Sequence, residues 1–245
     1  MSMRITLITA GRILRQLLGD HRTVALILAV PALIIALISA IMEASPQMFD
    51  RVGLILLAVF PFTIMFLLTS ITMQRERAAG TLERLMTTPT AKMDLVTGYA
   101  LAFGACAAAQ TGVAAAVAYL WLGLDTAGSA WTVALIAIVT SVFGMALGLL
   151  VSAFAATEFQ AVQFMPVLIV PQLFLCGLIW PREQMAGWLQ GVAEALPLTY
   201  AVEALQHVQV SSELTAGMWA DLGVVAGAAV VAIVLGAATL RRRTG

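Results

Sequence analysis

Residues 52–73 read VGLILLAVFPFTIMFLLTSITM, and these 22 residues contain no Asp, Glu, Lys or Arg. A helix of about 20 apolar residues is long enough to cross the roughly 30 Å hydrocarbon layer of a membrane. A strand of a membrane barrel would instead alternate apolar and polar residues, which this stretch does not. The stretch therefore predicts a membrane-spanning helix.

Other long stretches of the chain share this lack of charge. The chain as a whole is 61% hydrophobic and 11% charged. One such window could be a buried helix of a soluble protein, but six of them leave too few polar residues to cover a soluble core. We expect an all-α integral membrane protein, a single transmembrane domain over residues 1–245 with six spans. The other five windows are 23–42, 95–124, 126–157, 159–181 and 222–240.

Basic residues are divided very unequally between the two sides of such a bundle. With six crossings, 11 of the 13 basic residues fall on one side, and only Arg51 and Arg182 fall on the other. Because short cytoplasmic loops are enriched in Lys and Arg, this asymmetry predicts that both termini are cytoplasmic. The basic residues of the predicted inner side are Arg4, Arg12, Arg15, Arg22, Arg75, Arg77, Arg84, Lys92, Arg241, Arg242 and Arg243.

Two segments outside the spans have helical patterns. In residues 3–20 the arginines gather on one side and Leu7, Ile13, Leu14, Leu17 and Leu18 on the other, which predicts an interfacial helix, with a solvated basic tail as the alternative. Residues 182–220 predict a short amphipathic helix that stops before Pro197 and a second helix that begins near Thr199. These outer helices either re-enter the membrane or rest on its surface.

Small residues and prolines interrupt the spans. The pairs Gly144 with Gly148 and Gly223 with Gly227 have the spacing that lets membrane helices approach closely, within one chain or between two. Prolines inside spans one, two and five favour kinks, which can line a cavity. The prolines are Pro31, Pro61, Pro166 and Pro171.

The loop between spans two and three carries the strongest motif. Residues 75–89 read RERAAGTLERLMTTP, which suits a short amphipathic helix ended by Pro89. Composition alone favours a solvated charged loop. The order of the residues, however, resembles the cytoplasmic loop of ABC-2 type transporter permeases, a family that includes drug exporters of the daunorubicin-resistance type.

A second stretch strengthens the resemblance. Residues 174–181 read FLCGLIWP and residues 197–205 read PLTYAVEAL, similar to the family's segment around span five. The family commonly has Ser where this chain has Cys176, and often Arg where it has Gln206. Neither difference lies in the loop at residues 75–89, but both affect what is inferred about the substrate and the outer gate.

The resemblance implies a permease subunit of an ABC exporter in the bacterial cytoplasmic membrane. It implies that residues 75–91 form a coupling helix that binds a separate ATP-binding subunit, and that two permeases, as a homodimer, work with two such subunits. The residues implied in coupling are Glu76, Arg77, Gly80, Thr81, Leu82, Glu83, Leu85 and Pro89. The predicted outer gate comprises Gly177, Pro181, Trp188 and Pro197, and the predicted translocation path comprises Met65, Phe66, Gln163 and Phe174.

Nucleotide chemistry is expected on the partner. A P-loop needs a Lys after a glycine-rich turn, and the chain's only lysine, Lys92, lies in PTAKM, so there is no Walker A motif. We expect no cofactor or metal on this chain, no enzymatic activity of its own, and ATP with Mg²⁺ on the partner. Amphipathic drugs suit the uncharged spans, and lipids, lipid-linked glycans and peptides are alternative cargoes.

Two other classes compete with this interpretation. An ion-coupled secondary transporter would normally place ionisable groups at mid-membrane, and none is evident there. An intramembrane enzyme needs a nucleophile and base or metal ligands, but His21 and His207 lie outside the spans on opposite sides.

Overall fold

A computed structural model describes residues 3–80 and 92–239 of the chain. These residues are helical, with no strand among them. The helices are α1 Met3–Gly19, α2 His21–Ile41, α3 Pro46–Ala78, α4 Lys92–Ala116 with a π-helical turn Val117–Trp121, α5 Ala130–Val151, α6 Glu158–Leu175, α7 Gly187–Glu194, α8 Pro197–Val210 and α9 Ala216–Ala238.

The six predicted spans are confirmed as helices. Within the described ranges, six helices are long and apolar enough to cross a membrane: α2, α3, α4 with its π turn, α5, α6 and α9. We call the end of the bundle that holds α1, the end of α3 and the start of α6 the basic end, and the opposite one the acidic end. The bounds differ from the predicted windows in both directions. Helices α3 and α9 begin before their windows, at Pro46 and Ala216, because charged residues at a span's end can continue the helix outside the hydrocarbon layer. Helices α5 and α6 end before their windows do, at Val151 and Leu175, because an absence of charge does not mark where a helix stops.

The packing of α5 on α3 forms the centre of the bundle. A Cβ at Gly144 would overlap the carbonyl oxygen of Phe62, and one at Gly148 would lie 2.5 Å from the carbonyl oxygen of Phe66. The two glycines therefore pack helix backbone against helix backbone within one chain, and the rings of Phe62 and Phe143 stack beside them at 5.6 Å. By contrast, a Cβ at Gly223 or Gly227 would meet nothing within 4 Å.

The helices at the two ends differ from expectation in detail. Helix α1 covers most of the predicted residues 3–20, but it packs on α4 through Thr6, Thr9, Ala10 and Ile13, whereas Leu7 and Leu18 remain exposed. The apolar residues gather on one side of α1, but the side that packs includes the small residues Thr6, Thr9 and Ala10, which let α4 come close. The position of α1 at a membrane interface stays a prediction.

The outer segment contains two helices, as expected. The second, α8, begins at Pro197 rather than near Thr199, and residues 216–220 belong to α9 rather than to the outer segment. Helix α8 is buried along one side and packs against α3, α5 and α9, while Trp188 of α7 is 73% exposed. Whether α8 re-enters the membrane or rests on its surface stays a prediction.

The two glycine pairs give a matched test of the α3–α5 contact. We expect Gly144→Ala to lower the free energy of unfolding by about 2 kcal/mol, because the added methyl group forces two backbones apart. Gly227 belongs to a pair with the same spacing, but a Cβ there meets nothing within 4 Å. Gly227→Ala should therefore leave stability unchanged or slightly raise it. Thermal unfolding of the purified variants in detergent measures both, and equal losses would contradict the packing described here.

Candidate functional site: the basic end of the bundle

Helix α3 carries the start of the predicted coupling helix. Its 33 residues span about 50 Å at 1.5 Å per residue, so it is longer than the hydrocarbon layer is thick. Residues 75–78, predicted to begin a separate helix, are instead the last turn of α3. The chain then turns at Gly80, whose φ of +67° favours glycine.

The rest of the predicted coupling helix, residues 81–91, lies outside the described residues. Thr81, Leu82, Glu83, Leu85 and Pro89 belong to that part. Their role in coupling stays a prediction. Glu76, Arg77 and Gly80 are described, and they lie together where α3 leaves the bundle.

Glu76 is at the centre of a buried polar contact among three helices. Its residue surface is only 5% exposed, and Oε1 lies 3.4 Å from the guanidinium of Arg12 on α1. The same Arg12 nitrogen donates a hydrogen bond of 3.0 Å to the hydroxyl of Tyr99 on α4, which is 1% exposed. Arg12 therefore ties the end of α3 to both neighbouring helices.

Some buried polar atoms in the last turn of α3 have no hydrogen-bond partner among the described residues. They are Oε2 of Glu76 and two guanidinium nitrogens of Arg77. A buried charge with incomplete hydrogen bonding is costly unless its counter-charge is present. The Arg12 guanidinium is thus the group that makes burial of Glu76 tolerable.

A second ion pair joins α3 to α6. Arg75 donates to both carboxylate oxygens of Glu158, from Nε and from a terminal nitrogen, each at 3.0 Å. Glu158 is the first residue of α6, where the helix dipole favours a negative charge, and Thr157 caps the same turn by accepting from the Gln160 amide. Both side chains are largely exposed.

The residues predicted to line a translocation path are not brought together. Met65 and Phe66 on α3 are fully buried within this chain's own core. Gln163 and Phe174 lie on α6 with exposed side chains, Phe174 at 58%. Of these four residues, only Gln163 and Phe174 are exposed on the outside of the bundle.

The predicted outer-gate residues lie around the link from α6 to α8. Gly177 is buried at a φ of +90°, and Pro181 precedes a short 3-10 turn, Arg182–Gln184. Trp188 is exposed on α7, and Pro197 begins α8. The four residues share a region but not a common contact.

An ion pair at this acidic end was not predicted from sequence. Arg182 lies 2.7 Å from Glu203 of α8, and each side chain is about three quarters buried. Burial raises the pKa of the Glu203 carboxyl, while the nearby Arg182 guanidinium opposes that rise. The available signal was that Arg182 is one of only two basic residues on a side with many acids, which favours an ion pair but does not identify the carboxylate.

The other missed residues are Arg12, Tyr99 and Glu158. Each pairs with a residue at least 64 positions away, and no local pattern marks it. In the described ranges, no group of three or more His, Cys, Asp or Glu is placed to hold a metal ion.

Comparison with known proteins identifies the family of this arrangement. A family model described as "ABC-2 type transporter" matches residues 5–210. Nodulation protein J of Rhizobium meliloti (strain 1021) is 31% identical over 176 residues, which cover 70% of this chain and 65% of that protein. The probable multidrug ABC transporter permease YbhR of Escherichia coli (strain K12) is 26% identical over 170 residues, 68% of this chain and 45% of that one.

A third relative has a resistance function in its name. The linearmycin resistance permease protein LnrN of Bacillus subtilis (strain 168) is 22% identical over 186 residues, which cover 74% of this chain and 48% of that protein. The matched part of this chain spans from 20% to 65% of the length of the curated relatives.

The Arg12–Glu76 contact can be tested by removing each charge in turn. We expect Arg12→Ala to lower the free energy of unfolding by about 2 kcal/mol, because it leaves a buried carboxylate without its counter-charge. Adding Glu76→Gln should recover most of that loss, since a neutral amide needs no cation. Chemical unfolding in detergent measures both variants.

Arg15 provides the control for this pair, because it lies on the same helix and is exposed. Arg15→Ala should change stability little. If it costs as much as Arg12→Ala, or if Arg12→Ala with Glu76→Gln is no more stable than Arg12→Ala alone, the contact does not stabilise the fold as described.

The raised pKa of Glu203 predicts a definite dependence on pH. The native protein binds this proton more readily than the unfolded chain, so the resulting stabilisation is present below the ordinary glutamate pKa and is lost as pH rises through the raised one. Glu203→Gln should therefore lack this dependence, so the stability of the variant relative to wild type should rise as pH is raised from below about 4.3 to neutral.

Thermal midpoints of wild type and variant, recorded as pH is lowered, measure that difference. Glu213→Gln, an exposed acid on the loop before α9, is the control and should show no such trend. A difference that grows as pH falls would contradict the assignment.

Proposed function

This chain belongs to the ABC-2 type transporter family, and we propose that it is the permease subunit of an ATP-driven exporter. In this proposal it works as a homodimer with two copies of a separate ATP-binding subunit. It lies in the bacterial cytoplasmic membrane with both termini in the cytoplasm, so that the basic end is the inner one. The 11 to 2 division of basic residues supports that orientation.

The observation that carries the proposal is the course of α3. The helix is buried along most of its length against α5, and it continues without a break through Arg75, Glu76 and Arg77 to the turn at Gly80. A force applied to the loop after Gly80 is therefore applied to the central helix of the bundle. The loop itself has the residue order typical of the family's coupling segment.

We also propose that ATP is bound and hydrolysed by a separate subunit. The 245 residues contain no Walker A motif, and Lys92 is the only lysine among them. This supports a division of the work between two kinds of subunit. We place ATP and Mg²⁺ on that subunit.

The exposed face of α6 is the best candidate for the translocation path. Gln163 and Phe174 lie there, where a second copy of the permease could face them across a gap. Met65 and Phe66, buried behind that face, would support it rather than line it. During transport, closure of the ATP-binding subunits would move the loops and then the helices on either side of the gap.

The cargo we propose is amphipathic or hydrophobic, including drugs. The apolar spans suit such a compound, and two of the similar proteins are named as a probable multidrug permease and as a linearmycin resistance permease. Lipids, lipid-linked glycans and peptides are the alternatives. An ion-coupled mechanism is disfavoured because the acids of the described spans lie near helix ends, such as Asp50, Asp94 and Asp221.

Co-purification with the ATP-binding subunit tests the coupling assignment. We expect wild type to hold that subunit, and Gly80→Trp and Glu83→Lys to weaken assembly and ATP-coupled transport. The first fills the turn after α3 and the second reverses a charge of the predicted coupling helix. Glu213→Lys, the same change at the opposite end of the bundle, should have no effect. Variants at Gly80 and Glu83 that assemble and transport as wild type does would refute the assignment.

A further inference from the structure

Helix α6 has few fully buried residues, although partly buried side chains in its middle, such as Phe164 and Leu168, pack against the core. Only Ala161, Ile169 and Gln172 are buried along its 18 residues, and it contains two prolines, Pro166 and Pro171, each of which removes a helix hydrogen bond. Helix α3, by comparison, is buried along most of its length. Polar contacts at and beyond its two ends therefore add to the apolar contacts that hold α6 in position.

An ion pair is present at each end. At the basic end, Glu158, the first residue of α6, accepts two hydrogen bonds of 3.0 Å from Arg75. Beyond the acidic end, Arg182, seven residues after Leu175 and at the start of a short 3-10 turn, lies 2.7 Å from Glu203 of α8. The first contact joins α6 to the last turn of α3, and the second joins it to a helix packed among the spans.

The two contacts differ in strength and in what they connect. Arg182 and Glu203 are mostly buried, so the outer contact is shielded from water. Arg75 and Glu158 are 65% and 46% exposed, and an exposed ion pair adds little to the stability of a fold. The two parallel hydrogen bonds, however, fix the direction of the guanidinium relative to the carboxylate. Such a contact suits the positioning of one helix by another.

We propose that Arg75 and Glu158 are positioning residues that transmit the movement of the coupling loop to the start of α6. The inference rests on the proposed function. Arg75 lies five residues before the turn at Gly80, on the same rigid helix, so a displacement of the loop moves its guanidinium directly. The start of α6 follows because Glu158 is bound to that group, while the acidic end of α6 is kept in place by Arg182 and Glu203. The helix then tilts about its outer end, which opens or closes the gap beside Gln163.

The experiment compares Arg75→Glu, Glu158→Arg and the double variant, which restores the pair with its charges exchanged. Spin labels replace Phe159, exposed at the start of α6, and Trp131, exposed at the acidic end of the tightly packed α5, after Cys106 and Cys176 are changed to Ser. The distance between the labels is measured by pulsed EPR in nanodiscs, first for the permease alone and then for its complex with the ATP-binding subunit, with and without ATP.

In the permease alone, we expect each single variant to broaden the distance distribution and the double variant to narrow it again. In the complex, ATP should shift the distance in wild type. That shift should be lost in either single variant, although the complex still forms, and it should return in the double variant and in Arg75→Lys at reduced size. Arg22→Glu, an exposed arginine at the same end, should behave as wild type, and it should not restore the shift when combined with Glu158→Arg.

An ATP-dependent shift that survives both single variants, or a double variant that behaves like the singles, would overturn the inference. Failure of the proposed function looks different: wild type then binds no ATP-binding subunit or shows no response to ATP. In that case, the distributions of the label-to-label distance in the permease alone still show whether the Arg75–Glu158 ion pair positions α6.

Discussion

The close approach of α5 to α3 at Gly144 and Gly148 is the contact on which the rest of the bundle is built. Two helix backbones meet there because neither glycine has a side chain to hold them apart. Between membrane helices, where lipid is as apolar as leucine, such packing contributes what the hydrophobic effect supplies in water. It fixes the central helix, and α4, α6, α8 and α9 then pack around this pair.

A rigid central helix gives the charged residues at its ends a defined place. Glu76 is held by Arg12 at the basic end, and Arg75 reaches Glu158 from the adjacent position on the same helical turn. One helical turn thus joins α3 to α1 and α4 on one side and to α6 on the other. The loop predicted to bind the ATP-binding subunit begins directly after it, so the predicted point of attachment and the two ion pairs lie within a few residues of each other.

The spans could be predicted from sequence because the hydrocarbon layer excludes charge, and runs such as residues 52–73 record that exclusion directly. The face by which each helix packs could not be predicted, since lipid-facing and protein-facing sides are both apolar. Two glycine pairs with identical spacing therefore look alike in sequence, although only Gly144 and Gly148 contact another helix. The resemblance of the loop predicted a coupling role for Glu76, but its contacts with Arg12 and, through Arg12, with Tyr99 became visible only in the fold, because no local pattern relates residues so far apart.

The most direct test of the account asks what touches the chain just beyond α3. Ala79 is exposed between the last turn of α3 and Gly80, and Gly191 is exposed on α7 at the opposite end. A photo-crosslinking amino acid placed at either position reports its neighbour in intact cells. The account predicts a crosslink to an ATP-binding subunit from position 79 and none from position 191. The absence of that product from position 79, or its equal formation from position 191, would contradict the claim that force enters the bundle through the end of α3.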